Sequence, residues 1–275
     1  MHDHECCGSE ASGRYQESAV IVENRPLHGG YLNLLLRAPR VSAAAVPGQF
    51  VHLRLPDEKF LLRRPFSICD ARDGLIRIFY KVVGAGTQYL SQLREGAVLD
   101  LLGPLGNGFP LPRAGRVPFL IAGGYGAAAL FLLAQRCRTP GVVFLGARSQ
   151  GDIFFQDEYE ALGFEVRITT QDGSLGEKGL VTEPFLAELQ RLDGGDCAVF
   201  ACGPTPMLRA VDEIVCTHQV GEAWLSLDER MCCGTGACYT CVIKLRDGDS
   251  QMGWRYARTC YEGPVFAAGR VIWEV

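Results

Sequence analysis

The sequence predicts a multidomain chain in three parts: an antiparallel β-barrel, a doubly wound α/β domain, and a small C-terminal domain organised by cysteines. Three observations predict it. Short alternating apolar segments separated by turn residues run from about Ser18 to Leu102, strand-like and helical segments alternate from Val117 onward, and five of the twelve cysteines fall between Cys232 and Cys260. A length of 275 residues exceeds what one small core usually organises, which favours two or three domains. The boundaries read as 14–112, 113–222 and 223–275.

In the first part, SAVIVEN, GYLNLLL, QFVHLRL, LIRIFYKVV and AVLDLL have the length and spacing of strands in a barrel or sandwich. Pro110, Pro112 and Gly115, in FPLPRAGR, mark a linker. Beyond it VPFLIA, GVVFLGA, FEVRIT and DCAVFA read as strands, separated by helical segments such as Ala127 to Arg138 and Val181 to Arg191. Alternating strand and helix implies a parallel sheet covered by helices. Met207 to His218 is its last long helix, with Pro204 close to the favoured first-turn position, and the strand-like AWLSL then leads into the cysteines.

Composition excludes some functions. With 48% hydrophobic and 21% charged residues the chain is globular, and a net charge of -4 without long basic runs offers no footprint for nucleic acid. The uncharged stretch Val117 to Gln135 is long enough to be weighed as a membrane span, but Gly123, Gly124 and Gly126 interrupt it where a strand turns into a helix. No cationic segment with an apolar core stands at the N-terminus, so a cytoplasmic protein is expected, with no membrane partner. In that compartment twelve cysteines point to metal binding rather than to disulfides. Cys69, Cys137, Cys197 and Cys216 sit among apolar neighbours and read as small buried hydrophobes. His2, His4, Cys6 and Cys7 lie in an aperiodic tail, with metal binding as their other reading.

The strongest motif is Cys233, Cys238, Cys241 and Cys260, spaced C-x4-C-x2-C with a distant fourth cysteine, the plant-type 2Fe-2S arrangement. Three thiolates on one tight loop reach both irons, while Gly234 and Gly236 let the backbone wrap closely and turn amide N–H groups toward the sulfurs. A four-cysteine zinc site is the other reading, although such sites usually present two close pairs. Cys232 adjoins the motif, but only Cys233 gives the four-residue gap.

Gly124, Gly126 and Ala129 match G-x-G-x-x-A directly after a predicted strand and at the start of a predicted helix. Small residues there let a helix N-terminus approach a pyrophosphate; close packing without a ligand is the alternative. An acidic residue to hold an NAD ribose is not clearly placed, and Arg148 ends the next strand, so the residues leave NAD and NADP both open. Cys202 and Gly203, in ACGPTPM, fall at the carboxyl end of a predicted parallel strand, where open α/β sheets bind ligands; a buried structural cysteine is the bland reading.

In the first domain, Arg64, Pro65, Phe66 and Ser67 place a cation, a ring and a hydroxyl together at the start of a strand. They suit a flavin, with the guanidinium for pyrophosphate, though an ordinary strand would read the same. Gly84, Gly86 and Thr87, in the segment KVVGAGT that begins at Lys81, add a second phosphate cradle at a helix start.

With these motifs in place the chain resembles the ferredoxin-NADP reductase superfamily, in which a flavin-binding barrel precedes a nucleotide-binding domain. More closely, RRPFSI, KVVGAGT, GPLGNGF, IAGGYGAAAL, DGSLGEKG, ACGPTPM, MCCGTGACYTCV and RTCYEGPVF resemble the electron-transfer subunits of type B dihydroorotate dehydrogenases. The resemblance implies FAD, a 2Fe-2S cluster and NAD as cofactors. It implies electrons passing from the FMN of a separate catalytic subunit, through the cluster and FAD, to NAD, in a heterotetramer of two copies of each subunit that serves pyrimidine biosynthesis.

The candidate contacts are Arg64, Pro65, Phe66, Ser67, Lys81, Gly84, Gly86 and Thr87 on the flavin side and Gly123, Gly124, Gly126, Gly203 and Pro204 on the nucleotide side. Cys202 is the candidate catalytic residue beside the nicotinamide, and Tyr239 is expected to line the partner interface. Ala129 stands where relatives often carry proline. Two other readings are a reductase subunit of a hydrogenase or sulfur-metabolising complex, and a zinc-stabilised module that senses nucleotides.

Overall fold

A computed structural model describes residues 13–192 and 196–273. His2, His4, Cys6 and Cys7 lie outside them.

The first part is one seven-stranded antiparallel sheet. Its elements in chain order are β1 (Tyr15–Pro26), β2 (Tyr31–Arg37), helix α1 (Pro39–Ala44), β3 (Phe50–Arg54), β4 (Arg64–Ser67), β5 (Asp70–Arg72), β6 (Leu75–Lys81), helix α2 (Ala85–Gln92) and β7 (Val98–Leu105). Across the sheet the order is β4-β3-β7-β1-β2-β6-β5, so β4 and β5 form its edges. The sheet curls over itself as an open barrel: Phe66 on β4 meets Tyr80 on β6 with ring centroids 5.7 Å apart.

Side chains alternate between the two faces of each strand. Leu32, Leu34, Leu36, Val51, Leu53, Ile76, Ile78, Leu99 and Leu101 point inward and form the barrel core. Each such burial stabilises the fold by about 1.5–3 kcal/mol. The opposite face is also covered. Tyr31 and Phe79 pack into the core of the second part, while Phe50 and Leu105 pack against Cys241 and Cys260 of the third.

The second part begins with β8 (Val117–Gly123), α3 (Gly126–Arg136), β9 (Val142–Ala147), α4 (Gln156–Ala161) and β10 (Glu165–Thr170). It continues with β11 (Glu177–Lys178), α5 (Thr182–Arg191), β12 (Cys197–Cys202), α6 (Thr205–Thr217) and β13 (Ala223–Ser226). These strands are parallel in the order β11-β10-β9-β8-β12-β13, with every residue of β12 buried, as a sheet covered on both faces requires. Helix α3 is buried almost all round because it lies between this sheet and the barrel, where Leu132 joins the barrel core. This explains the uncharged stretch in the sequence; among the described residues no helix is long and apolar enough to cross a membrane.

The third part contributes the hairpin β14 (Val242–Arg246) and β15 (Trp254–Arg258), then β16 (Val265–Ala267). The segment AWLSL, assigned from the sequence to 223–275, supplies β13 of the parallel sheet, and β16 adds an antiparallel edge to it. The boundary at 222 thus falls inside a sheet. Ala223, Leu225, Phe266 and Val271 share one apolar cluster with Val211 and Val215 of α6, so the C-terminal segment completes the core under that helix.

The barrel and the α/β part meet at an aromatic seam. Phe154 packs on Tyr31 and Phe79 with centroids 4.5 and 4.8 Å apart, and Phe155 meets Phe79 at 5.2 Å. Over it, the Asp152 carboxylate accepts from Tyr31 Oη at 2.9 Å and pairs with Lys81 Nζ at 3.1 Å. Burial opposes the Asp152 charge, but these two partners outweigh it and hold the carboxyl below its ordinary range, while the Asp152 bond raises Lys81. Such a pair stabilises between the two pKa values and fades as pH falls through that of Asp152. Because the Lys81 side chain is 37% exposed, solvent screening limits the gain. Asp152→Asn should cost roughly 1 kcal/mol near neutral pH. In parallel urea titrations the gap between parent and variant should hold from pH 8 to about 5 and close below about 4.

Candidate functional site

On the flavin side, Arg64 and Gly86 come together. A Cβ on Gly86 would stand 2.6 Å from Arg64 Nε, so glycine lets the first turn of α2 lie against the guanidinium where it now stands. Arg64 is further held by the carbonyl of Leu62 and lies over the Phe60 ring at 4.9 Å. Thr87 Oγ1 accepts from the N–H of Val83 at 2.9 Å and of Gly84 at 3.2 Å, which fixes the loop entering α2. Gly84 is extended, with open space where a side chain would stand, so nothing steric demands glycine there.

Phe66 packs partly into the barrel and Ser67 is exposed at the β4 edge. An edge strand leaves backbone donors and acceptors free for a ligand. Beside it Leu61, Leu62 and Val83 are exposed, an arrangement that suits a planar apolar ring held by polar edges and an anion near Arg64. Lys81 stands apart from this group: its ammonium is engaged by Asp152 at the seam, a destination the sequence did not signal.

On the nucleotide side, the glycines draw the carboxyl ends of β8 and β12 together. A Cβ on Gly126 would lie 2.0 Å from the Cys202 carbonyl oxygen, one on Gly123 would strike Pro204 Cδ at 2.6 Å, and one on Gly203 would strike Met207 Cε at 2.6 Å. Close packing of the strand ends and helix starts is therefore part of what these glycines do. Gly124 has φ of +55° and its N–H bonds the Gly146 carbonyl at 2.8 Å, making the tight turn into α3. They stand at the carboxyl ends of the parallel strands β8 and β12, the place where such sheets take a dinucleotide.

Cys202 ends β12 and is buried. Burial pushes its thiol up to about 12, with nearby Asp228 adding to the rise, so the sulfur is a neutral packing group rather than a base or thiolate. Tyr125, which carries no sequence motif of its own, stands just before α3, half-exposed, with its hydroxyl donating to Asp228 at 2.9 Å. Its only sequence signal is its place inside the glycine motif.

In the third part the four predicted cysteines gather on one loop and one strand end. Gly234 and Gly236 take φ of +73° and +85°, and Tyr239, unusually for a non-glycine, takes +59°. The resulting coil aims amides at sulfur: Cys233 Sγ accepts from the N–H of Thr235 at 3.4 Å and Ala237 at 3.3 Å, and Cys241 Sγ accepts from the N–H of Cys260 at 3.4 Å. Cys238 Sγ meets Thr240 Oγ1 at 3.2 Å. Burial opposes ionisation of Cys233, but the bond from Thr235 and its fellows prevails and brings the thiol down to about 6. Cys238 is lowered by Thr240, whereas burial and the Cys241 thiol push Cys260 up to about 12.

Side-chain bonds join Cys233 with Cys238 and Cys241 with Cys260, while Cys233 also acts on Cys260 and Cys238 also bonds Cys232. Among the described residues no group of three or more His, Cys, Asp or Glu side chains surrounds a single ion position. Two couples wrapped by amide donors fit a binuclear group, since such donors stabilise the thiolates of an iron-sulfur site. Cys232 differs: burial and neighbouring Cys238 raise its thiol. Arg258, missed from sequence, braces the loop by donating to the Gly236 carbonyl at 3.0 Å while paired with Glu262 at 3.1 Å.

The loop is seated on the barrel. A Cβ on Gly234 would lie 2.7 Å from His52 Cε1 and Nδ1, and Phe50 shares an apolar cluster with Cys241 and Cys260. His52 on β3 is fully buried, and neither ring nitrogen has a hydrogen-bond partner; Thr259, next to Cys260, is likewise buried with an unpartnered hydroxyl. Each such group costs about 1–3 kcal/mol if it stays unpaired. Burial, with Arg63 nearby, lowers His52 to about 4, so the ring is neutral.

Comparison with known proteins agrees with this geometry. Residues 228–272 match the family model for the iron-sulfur cluster binding domain of dihydroorotate dehydrogenase B, and residues 120–213 match the oxidoreductase NAD-binding domain. The dihydroorotate dehydrogenase B (NAD(+)) electron transfer subunit of Enterococcus faecalis is 40% identical over 266 residues, covering 94% of this chain and 99% of that one. The corresponding subunit of Fusobacterium nucleatum is 35% identical, covering 93% and 98%.

Among solved structures, an NADH-dependent reduced ferredoxin-NADP oxidoreductase described for flavin-based electron bifurcation superposes with a TM-score of 0.76 at 32% identity, over 93% of this chain and 90% of that one. The barrel, the parallel sheet and the cysteine domain are those of the ferredoxin-NADP reductase fold, a flavin- and NAD-binding oxidoreductase with an added iron-sulfur domain. The chain belongs to the family of the electron transfer subunits of dihydroorotate dehydrogenase B (NAD(+)).

Proposed function

We propose that this chain carries electrons from the FMN of a dihydroorotate dehydrogenase catalytic subunit to NAD, in the cytoplasm, for pyrimidine biosynthesis. When bound, the cluster supplies one-electron carriage and FAD the exchange between single electrons and a hydride. One observation carries the reading: the cysteine loop is seated on β3, and β3 is hydrogen-bonded to β4, the strand bearing the flavin candidates. In that pairing His52 lies opposite Pro65, and Phe50 opposite Ser67.

The residues then divide the work. Cys233, Cys238, Cys241 and Cys260 hold the irons. Arg64, Gly86 and Thr87 hold the flavin pyrophosphate at the start of α2, with Pro65, Phe66, Ser67 and Gly84 along the ring and its phosphates. Gly123, Gly124, Gly126, Gly203 and Pro204 shape the NAD crevice, and Cys202 packs beside the nicotinamide to set its approach. Lys81 acts through the seam, fixing barrel against crevice. The division into 14–112, 113–222 and 223–275 describes these three tasks, with β13 and β16 tying the last two together.

A partner surface is supported beside the cluster. Tyr239, Met252 and Tyr256 are exposed apolar side chains, at 60%, 65% and 57%, on the loop and hairpin of the third part. The catalytic subunit would cover them, giving a heterotetramer with two copies of each chain. The resemblance to a bifurcating reductase keeps a reductase subunit of another redox complex as the second reading.

Three measurements test these assignments. Substituting serine singly at Cys233, Cys238, Cys241 or Cys260 should abolish most bound iron and acid-labile sulfide, whereas Cys232→Ser should retain both. Cys202→Ala should keep both prosthetic groups while slowing flavin reduction by NADH about tenfold, the effect of a misplaced hydride acceptor; an unchanged rate would remove Cys202 from the site. Mixed with an FMN-containing catalytic subunit, the chain should support NAD reduction by dihydroorotate, and failure with a competent partner would favour the second reading.

A further inference from the structure

We propose that His52 donates a hydrogen bond from the barrel to the iron-sulfur cluster, stabilising its reduced form and pinning the cysteine loop to β3. The inference rests on the assignment of Cys233, Cys238, Cys241 and Cys260 as cluster ligands. Strand β3 is paired on both sides, with β4 and with β7, so the backbone carrying His52 is fixed. Alternation sends Val51 and Leu53 into the barrel core, and Phe50 and His52 to the opposite face, against the cysteines.

There the ring lies against Gly234, the residue after Cys233, so closely that a Cβ at Gly234 would come 2.7 Å from Nδ1. A side chain of no measurable exposure with both nitrogens unpartnered is a poor structural filler, because leucine or phenylalanine would bury more apolar surface without stranding a donor and an acceptor. Its position gives the donor a use. A cluster held by these cysteines would offer sulfur acceptors beyond the two bonds that Thr235 and Ala237 already make to Cys233. A neutral imidazole supplies one N–H. A donor to cluster sulfur stabilises the more negative, reduced state, so hydrogen bonds of this kind raise the potential.

The test uses the full chain with its cluster and flavin. With nitrogen-15 in all five histidines and the cluster reduced, pulsed paramagnetic resonance should detect a nitrogen-15 coupling that disappears in His52→Gln. His52→Phe should lower the reduced-to-oxidised ratio of the cluster about tenfold at fixed potential, equivalent to ~59 mV for one electron. His52→Gln, whose amide still donates, should recover part of that shift. An intact cluster signal with no histidine coupling would overturn this inference alone, even if His52→Phe fails to fold. A parent-like potential in a folded His52→Phe would do the same. A folded sample without any paramagnetic cluster would overturn the ligand assignment together with it.

Discussion

The structure depends on the two-residue alternation of the barrel strands, because the same strands serve two cores at once. On β2 and β6, Leu34, Leu36, Ile76 and Ile78 fill the barrel, and their neighbours Tyr31 and Phe79 carry the α/β part. On β3, Val51 and Leu53 fill the barrel, and Phe50 and His52 carry the cysteine loop. A slip of one residue in either ladder would exchange these faces, emptying the barrel and detaching a cofactor domain together. Register, which hydrophobic burial fixes strongly, therefore also fixes where the α/β part and the cysteine loop stand against the barrel.

Within that frame, environment gives one residue type opposite chemistry. Cys202, enclosed at the end of β12, is pushed up to about 12 and stays a thiol. Cys233, in a coil of left-handed glycines that turns amides toward its sulfur, is brought down to about 6. Desolvation opposes charge in both places, but Cys202 is enclosed whereas Cys233 is only partly buried and is supplied with oriented N–H donors. The glycines divide similarly: Gly234 and Gly236 supply backbone conformations, whereas Gly126 and Gly203 supply clearance where strand ends and helix starts meet.

The connections between parts also have a physical logic. The strand before the cysteine loop, β13, and the strand after it, β16, are neighbours at one edge of the second part's sheet, so the cysteine loop leaves and re-enters through one rigid scaffold. Its far side is held by the barrel. The loop is thus clamped between the β3–β4 pair and the parallel sheet, while Tyr239 and Tyr256 remain outward. This placement suits a carrier that must be fixed toward its internal acceptor and open toward an external donor.

Much of the molecule was legible in the sequence because the relevant signals are local. Strand alternation, the change to strand-and-helix order, the C-x4-C-x2-C spacing and the glycine motif after β8 each involve neighbouring residues, and they sufficed for the three-part fold. The rest depended on contacts between distant segments. Lys81 is a flavin-side candidate from sequence, and only the fold brings its ammonium against Asp152 from another part. The segment AWLSL looked like an approach to the cysteines until β12 and α6 claimed its apolar face. His52 gave no signal at all, since an isolated histidine in a strand becomes informative only when Gly234 buries it. The sequence by itself determined the elements and the chemistry available, because propensity and spacing act over a few residues; only the tertiary structure decided which groups meet, because burial and pairing are set by chain segments far apart.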